Sequence, residues 1–221
     1  MFFEDRRQAG HRLAKKLLRY RDQRPIVLAL PRGGVPVGLE VARELDAPLD
    51  ILLVRKIGAP WQRDMAVGAI VGGCEPQVVL NDDLIAATGV SQEYIARETA
   101  NQLREIERRR RIYVADRRPF DLRGRVAIIV DDSVATGASL RAAIRGVKQC
   151  GAAKVVLAVP VVSRDIVEML SGEVDELVCL MTPEHLGEIN AFFRDYRQVH
   201  DDEVVTLLSQ ASGNGGHRAS A

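Results

Sequence analysis

The chain has 221 residues, and its 31 Lys and Arg residues nearly cancel its 30 Asp and Glu residues, which leaves a formal net charge of +1. So small a basic excess argues against a general nucleic-acid binder, and a hydrophobic content of 47% excludes an intrinsically disordered chain. A chain of this length has room for one large domain. From the small net charge we predict no nucleic-acid partner. Because no apolar run approaches the ~18 residues of a membrane-spanning helix, we also predict no membrane attachment.

The cysteines are three in number, Cys74, Cys150 and Cys179, and they form no CxxC pair. This pattern favours reduced, buried thiols in the cytosol over a disulfide framework or a zinc site. Residues 1–16 lack the apolar core of a signal peptide. We therefore predict a cytoplasmic protein.

Five apolar runs predict the strands of a mainly parallel sheet, because each run is too continuous to have one face in solvent. The runs are 26–30, 49–54, 126–130, 155–159 and 177–180. Helical patterns lie between them at 35–45, 140–147 and 165–170, and Thr182 with Pro183 predicts the start of another helix. Strands that alternate with helices predict an α/β, Rossmann-like fold that binds its ligand at the carboxyl ends of the strands.

Residues 58–121 break this alternation and predict an insertion after the second strand. Residues 65–71 and 77–80 have the pattern of a hairpin, and residues 91–114 have the pattern of one long charged helix. We expect a single domain over residues 1–210. The tail, 211–221, is small and polar and is expected to be disordered.

Charge is unevenly distributed along the chain. Residues 1–24 carry eight Lys and Arg against three acids, a local charge of +5, and residues 104–118 carry seven Arg against three acids, a local charge of +4. Residues 162–203 carry three Arg against eleven acids, a local charge of −8. Such clusters fit solvated helix faces, or the contact of a basic face with an acidic face of a second copy, which would make the protein a homodimer.

The most informative stretch is 127–139, which reads AIIVDDSVATGAS. A buried strand brings the acidic pair, Asp131 and Asp132, to the edge of the sheet, and small and hydroxyl residues then lead into a helix. The N–H groups at such a helix start bind phosphate, whereas two carboxylates suit vicinal hydroxyls or a magnesium ion. The stretch predicts a site for a ribose 5-phosphate, and its plainer interpretation is a capped turn at a strand end.

Every position of this stretch matches the signature with which type I phosphoribosyltransferases bind 5-phosphoribosyl 1-diphosphate (PRPP), and the chain therefore resembles that family. The resemblance implies that Asp131 and Asp132 contact the ribose hydroxyls and, through the ligand and water, Mg²⁺. It also implies that the following loop holds the 5-phosphate. The loop residues are Ala135, Thr136, Gly137, Ala138 and Ser139.

Other segments agree with the resemblance. Arg32, Gly33 and Gly34 follow the first strand, where the family has its pyrophosphate loop, often with a non-proline cis peptide bond. Arg55 and Lys56 end the second predicted strand, where several members carry a basic pair that faces the pyrophosphate.

The resemblance also implies a catalytic set of Asp131, Asp132, Lys56 and Arg63. Arg63 is the cationic candidate of residues 58–71, which correspond to the mobile loop that closes over the reacting centre. A hood over the acceptor would come from residues 2–20 and 182–196.

The implied reaction is a Mg²⁺-dependent transfer of the phosphoribosyl group from PRPP to a nitrogen nucleophile, a nucleobase or related compound, with release of pyrophosphate. The segments RKIGAP, AVGAI and RDYRQVHDDEV are similar to those of a bacterial group in the family that has no assigned acceptor. The alternative is a regulator on the same fold that binds PRPP or a nucleotide without turnover.

Some other motifs can be set aside. Residues 33–38 have the glycine spacing of a P-loop, but Leu39 and Glu40 stand where Lys and Ser or Thr are required. The four histidines are scattered, so a metal site built by the protein alone is not expected. Trp61 either packs on the hairpin or the helix or covers a planar base.

Overall fold

Strands and helices alternate along most of the chain. The computed structural model describes residues 2–73, 76–115, 117–134 and 137–214, with the backbone alone for 63–64, 138 and 212–214. The strands are β1 (Ile26–Ala29), β2 (Leu49–Ile51), β3 (Leu53–Ala59), β4 (Gln62–Gly72), β5 (Gln77–Leu80), β6 (Val126–Val130), β7 (Lys154–Val161) and β8 (Glu176–Met181). The α-helices are α1 (Arg6–Leu17), α2 (Gly34–Leu45), α3 (Asp82–Thr88), α4 (Gln92–Val114), α5 (Ala138–Gln149), α6 (Arg164–Ser171) and α7 (Asp201–Asn214).

A five-stranded parallel sheet with the order β2-β1-β6-β7-β8 forms the centre of the molecule. Every residue of β6 is buried because helices cover both faces. Ile128 and Val130 pack on the side of α1, α2 and α7, whereas Ala127 and Ile129 pack on the side of α5 and α6. The apolar runs therefore form a sheet without a solvent face, and the predicted α/β class is confirmed.

The second predicted strand takes a different course. The run 49–54 does not end at Arg55 and Lys56, because β2 stops at Ile51 and β3 leaves the parallel sheet to pair antiparallel with β4. The predicted hairpin is confirmed, since β5 pairs antiparallel with β4, and β3 adds a third strand to this sheet. Arg55 and Lys56 lie within β3 and do not end it. The strand can hold charged residues because one of its sides faces solvent, with Lys56 exposed and Ile57 buried.

The long helix predicted over residues 91–114 is confirmed by α4. Ser91 caps it by accepting the Tyr94 N–H at 3.2 Å. Part of its charge is paired internally, since Glu105 binds both Arg108 and Arg109 at 2.8 Å, which supports the interpretation as a solvated face and leaves the homodimer a prediction. In the part of the chain that the structure describes, no helix is both long and apolar enough to cross a membrane.

Asp50 on β2 ties the insertion to the central sheet. Its side chain is 2% exposed and accepts hydrogen bonds from Arg110 in α4 at 3.3 Å and from Arg117 at 3.0 Å. It also accepts the Ile51 N–H at 2.8 Å. A carboxylate buried to this extent is stable only with such partners, so the position of α4 on the sheet depends on this cluster.

The helix predicted from Thr182 is wrong. The structure has only a 3-10 turn at Ile189–Phe192, and Gly187 adopts a left-handed conformation (φ +57°) that interrupts a helix. The apolar side chains on the predicted face still pack, because Phe193 and its neighbours meet Phe3 from the N-terminal segment. The two segments predicted to form the hood are therefore in contact.

The C-terminal helix α7 reaches Asn214, so residues 211–214 are helical where the sequence predicts the start of a disordered tail. The other residues of that tail, 215–221, lie outside the described residues. Three acids in the first turn, Asp201, Asp202 and Glu203, stabilise the helix start through its macrodipole. This favourable start accounts for a helix in a segment with weak apolar periodicity.

The cysteines only partly follow the prediction. Cys179 has a free thiol, whereas Cys150 is disulfide-bonded, and Cys74 lies outside the described residues. The prediction of reduced thiols is therefore wrong for Cys150.

Replacement of Asp50 by Ala would leave Arg110 and Arg117 without their shared carboxylate. We expect Asp50→Ala to lower the free energy of unfolding by about 3–5 kcal/mol, the usual cost of breaking a buried ion pair. The matched control, Asp121→Ala, breaks the exposed pair with Arg123 and should leave stability almost unchanged. Urea unfolding followed by circular dichroism measures both variants, and equal losses would contradict the role of Asp50.

Candidate functional site

The acidic pair lies at the carboxyl end of β6, in the middle of the parallel sheet. Asp131 and Asp132 follow the strand directly, and the Asp132 N–H donates to Oδ1 of Asp131 at 2.9 Å. Asp132 is 7% exposed. Burial of two adjacent carboxylates is costly, so strong hydrogen-bond donors are required around them.

The loop after the acidic pair leads into α5, as predicted from the sequence. Gly137 precedes the helix with a φ of +70°, a left-handed conformation that suits glycine. The helix begins at Ala138, so Ser139 stands in its first turn, while Ala135 and Thr136 lie outside the described residues. The N-terminus of α5 therefore lies next to the acidic pair along the chain.

The glycine loop, residues 31–34, packs directly against the acidic pair. A Cβ atom on Gly33 would lie 2.1 Å from Oδ2 of Asp132, and one on Gly34 would lie 2.7 Å from the carbonyl oxygen of Val130. Both positions therefore require glycine. The peptide bond that precedes Arg32 is cis. The loops after the adjacent strands β1 and β6, which the sequence assigned separately to a ligand, are thus in contact.

Two groups from the ends of the chain bind Asp132. Nε of Arg6 donates to Oδ2 of Asp132 at 2.7 Å, and the Tyr196 hydroxyl donates to the same oxygen at 2.8 Å. The Arg6 guanidinium stacks 3.8 Å from the centre of the Tyr196 ring and also donates to the carbonyl oxygen of Arg197 at 2.8 Å. Oγ of Ser133 lies 3.2 Å from the Tyr196 hydroxyl. The two hood segments are therefore anchored on the acidic pair.

The acidic pair has unequal electrostatic surroundings. Burial, followed by the neighbouring charge of Asp132, holds the pKa of Asp131 well above its ordinary value, and Arg6 acts in the opposite direction. Burial, followed by the charge of Asp132, also raises the pKa of Tyr196 to about 12. The Tyr196 hydroxyl therefore keeps its proton at neutral pH and is a donor.

Arg32, the cation of the glycine loop, faces an acid from the C-terminal helix. Its Nη1 lies 3.8 Å from Oδ1 of Asp201, and the Tyr113 hydroxyl donates to that same oxygen at 2.7 Å. Arg32 is therefore located beside the acidic pair in the fold and close to a carboxylate of the same chain.

The other predicted basic residues lie on the antiparallel sheet. Arg55 donates its Nε–H to Gln102 in α4 at 2.8 Å, and Lys56 is exposed on β3. Arg63 lies in β4, where the structure describes the backbone alone. Trp61, in the turn between β3 and β4, is 59% exposed, so it does not pack in the core. Contact of these residues with a ligand stays a prediction.

Mg²⁺ prefers oxygen ligands, and the acidic pair offers carboxylate oxygens. Oδ2 of Asp132 is already bonded to two donors. Among the described residues, no group of three or more His, Cys, Asp or Glu side chains is arranged to hold a metal ion. The pair therefore fits an ion held mainly by the phosphates of a ligand and by water, with Asp131 and Asp132 nearby, rather than a cage built by the protein.

Sequence reasoning gave no role at the ligand site to four side chains, of which Tyr113 was expected only to pack against the hairpin or the long helix. Arg6 and Tyr196 bind Asp132 from 126 and 64 residues away, and Tyr113 and Asp201 meet near Arg32 from positions 88 residues apart. Tyr196 and Asp201 belong to the segment RDYRQVHDDEV, but the resemblance of that segment assigned no role to either side chain. For Arg6 and Tyr113, only their places in the predicted hood and the charged helix gave any signal.

A parallel α/β sheet with an acidic pair and a glycine loop at neighbouring strand ends defines a ligand-binding α/β domain. The chain belongs to the phosphoribosyl transferase domain family, whose model matches residues 4–176.

Similar proteins agree with this membership. Two relatives in Mycobacterium tuberculosis, strains CDC 1551 and H37Rv, are both named "Putative phosphoribosyl transferase" and are 44% identical over 209 residues, or 95% of this chain. The match covers 47% of each relative, so the chain spans about half their length. The crystal structure of TT1426 from Thermus thermophilus is similar with a TM-score of 0.80 and 40% identity, over 95% of this chain and 99% of that one.

Asp131→Asn tests the ionisation of the acidic pair. Because the folded state holds the pKa of Asp131 above its unfolded value, the folded state loses stability as the pH rises through that pKa. Asn carries no charge and can still accept the Asp132 N–H. We expect the variant to be more stable than wild type at pH 7, because it removes a charge that burial and the neighbouring Asp132 disfavour.

This stability difference should close as the pH falls towards 3.8, the ordinary value of the carboxyl group. Urea unfolding of both proteins across that pH range measures it. A stability difference that does not change with pH would show that ionisation of Asp131 does not destabilise the folded state.

Proposed function

We propose that the protein transfers the phosphoribosyl group of PRPP to a nitrogen nucleophile, a nucleobase or related compound, with Mg²⁺ and with release of pyrophosphate. The observation that carries this proposal is the contact of the glycine loop with the acidic pair, where Gly33 lies against Asp132 at the ends of β1 and β6. A ligand bound there reaches a pair of carboxylates and a basic loop at once. Membership of the family supports the same reaction class.

The ribose and its 5-phosphate would lie between β6 and α5. The ribose hydroxyls would donate to Asp131 and Asp132, which are acceptors when ionised. The 5-phosphate would lie at the N-terminus of α5, where unpaired N–H groups and the helix dipole attract an anion. The residues proposed to surround it are Ala135, Thr136, Gly137, Ala138 and Ser139.

The pyrophosphate would lie towards the glycine loop, where Arg32 offers a guanidinium fork. Lys56 and Arg63 would approach from the antiparallel sheet, and Arg55 would have to leave Gln102 to do so. Mg²⁺, held by the ligand's phosphates and by water near the acidic pair, would offset the charge of the departing pyrophosphate.

The chain's own contribution to the reaction is electrostatic. When the bond between C1 of the ribose and the pyrophosphate oxygen breaks, positive charge develops on the sugar and negative charge on the leaving group. The basic residues stabilise the leaving group more in this transition state than in bound PRPP. Closure of the β3–β4 hairpin and the hood would exclude water, which otherwise competes with the acceptor.

The proposal predicts saturable binding of PRPP with Mg²⁺ and release of pyrophosphate when an acceptor is added. Isothermal titration calorimetry measures the binding, and a pyrophosphate assay with a panel of nucleobases and amines measures the turnover. Binding without release for every acceptor would favour the alternative, a regulator that binds PRPP or a nucleotide.

The double variant Asp131→Asn/Asp132→Asn tests the site itself. Loss of two hydrogen bonds to charged groups should weaken PRPP binding by on the order of 100-fold or more. The matched control, Asp82→Asn/Asp83→Asn, neutralises another adjacent pair of acids that is exposed at the start of α3, and its affinity should equal that of wild type. Unchanged affinity in the first double variant would refute the site assignment.

A further inference from the structure

A carboxylate of the chain itself lies beside the glycine loop. Oδ1 of Asp201, the first residue of α7, accepts a hydrogen bond from the Tyr113 hydroxyl at 2.7 Å and lies 3.8 Å from Nη1 of Arg32. Arg32 comes from the loop after β1, and Tyr113 comes from the last turn of α4. The fold thus places one anionic oxygen between a phenol and a guanidinium.

Tyr113 is a fixed donor at this position. The residue is 4% exposed and its ring packs in the core. Burial, followed by the hydrogen bond to Asp201, raises the pKa of Tyr113 to about 12, so the hydroxyl keeps its proton at neutral pH. A buried donor requires an acceptor. If Asp201 moves away, the hydroxyl therefore needs another acceptor.

Asp201 is held less firmly than Tyr113. Its side chain is 55% exposed, and an ion pair at 3.8 Å between such exposed groups is weak. Arg109 acts on the Tyr113 hydroxyl, although both Arg108 and Arg109 are paired with Glu105. The pKa of Arg108 is raised first by its hydrogen bond with Glu105 and in part by the charge of Asp201.

We propose that Asp201 occupies the place of one anionic oxygen of the ligand's pyrophosphate, and that Tyr113 and Arg32 bind that oxygen once Asp201 has moved away. The inference rests on the proposed function, since PRPP brings the pyrophosphate to the glycine loop. Tyr113 is then a binding residue that no sequence motif indicated, and Asp201 is an internal competitor of the ligand.

The same segment also covers the ribose end of the site. Tyr196 donates to Asp132 at 2.8 Å, and Val199, between Tyr196 and Asp201, is buried. We call residues 196–201 the strap. The strap contacts Asp132 through Tyr196 and Arg32 through Asp201. Bound PRPP would therefore contact the strap at both its ribose end and its pyrophosphate end.

Isothermal titration calorimetry on the full chain, with three ligands in the presence of Mg²⁺, tests the inference. The ligands are PRPP, inorganic pyrophosphate and ribose 5-phosphate, of which the last has no pyrophosphate. Asp201→Ala removes the competitor and should tighten PRPP and pyrophosphate binding about fivefold. The matched control, Asp202→Ala, removes the same charge from the next residue of α7 and should change these affinities less than about twofold.

Tyr113→Phe keeps the buried ring and removes only the hydroxyl. In the Asp201→Ala background it should weaken PRPP and pyrophosphate binding about tenfold, the usual effect of losing one hydrogen bond to a charged group, and leave ribose 5-phosphate unaffected. A smaller loss is expected with Asp201 present, because the hydroxyl then gives up its hydrogen bond to Asp201 when the ligand binds. A variant that weakened all three ligands alike would indicate a structural role and overturn the inference.

Other outcomes separate this inference from the proposed function. If Asp201→Ala binds PRPP no more tightly than Asp202→Ala, or if Tyr113→Phe added to Asp201→Ala binds PRPP as tightly as Asp201→Ala alone, the inference fails. If Arg32→Ala weakens PRPP binding in that case, the proposed function survives. If neither wild type nor Asp201→Ala binds PRPP, or Arg32→Ala has no effect, the proposed function fails and the inference fails with it.

Discussion

The carboxylate of Asp132 is the point on which the ligand side of the molecule depends. It is 7% exposed, it lies against Gly33, and one of its oxygens accepts hydrogen bonds from both Arg6 and Tyr196. A buried carboxylate without donors would be strongly destabilising. The charge of this one residue therefore requires the loop after β1, helix α1 and the C-terminal segment to meet, although they are distant in the sequence. The hood is in place because of this requirement and because Phe3 packs on Phe193.

The charges predicted to bind the ligand are partly matched by the chain itself. Arg6 neutralises Asp132, and Asp201 lies near Arg32, so both ends of the proposed site carry an opposite charge from one of the chain's terminal segments. Binding of an anionic sugar phosphate would therefore exchange partners rather than fill an open charged cleft. Such exchange costs part of the binding free energy, but it avoids unpaired buried charges in the free protein. The net charge of +1 therefore results from opposite charges that cancel in the total, and it does not mean that the proposed site carries little charge.

Much of the central fold could be predicted because strands buried on both faces leave a continuous apolar pattern, as β6 and β7 do. Prediction failed where local patterns had two solutions. Residues 49–54 contain the whole of the parallel strand β2 and the start of the antiparallel strand β3, and only pairing with β4 separates them. Thr182 and Pro183 have the pattern of a helix start, but the apolar residues after them pack against the N-terminal segment without forming a helix. In both places long-range packing outweighed local preference.

The sequence by itself determined the parts of the site that are contiguous in the chain. A strand, an acidic pair and a glycine before a helix predict the strand Val126–Val130 and a helix that begins after Gly137, because neighbours along the backbone set this local geometry. Only the tertiary structure decided which groups face these residues. Arg6, Tyr113, Tyr196 and Asp201 reach the site through packing between segments as many as 126 residues apart. No local pattern encodes such contacts, because they depend on how whole helices and loops are positioned on the sheet.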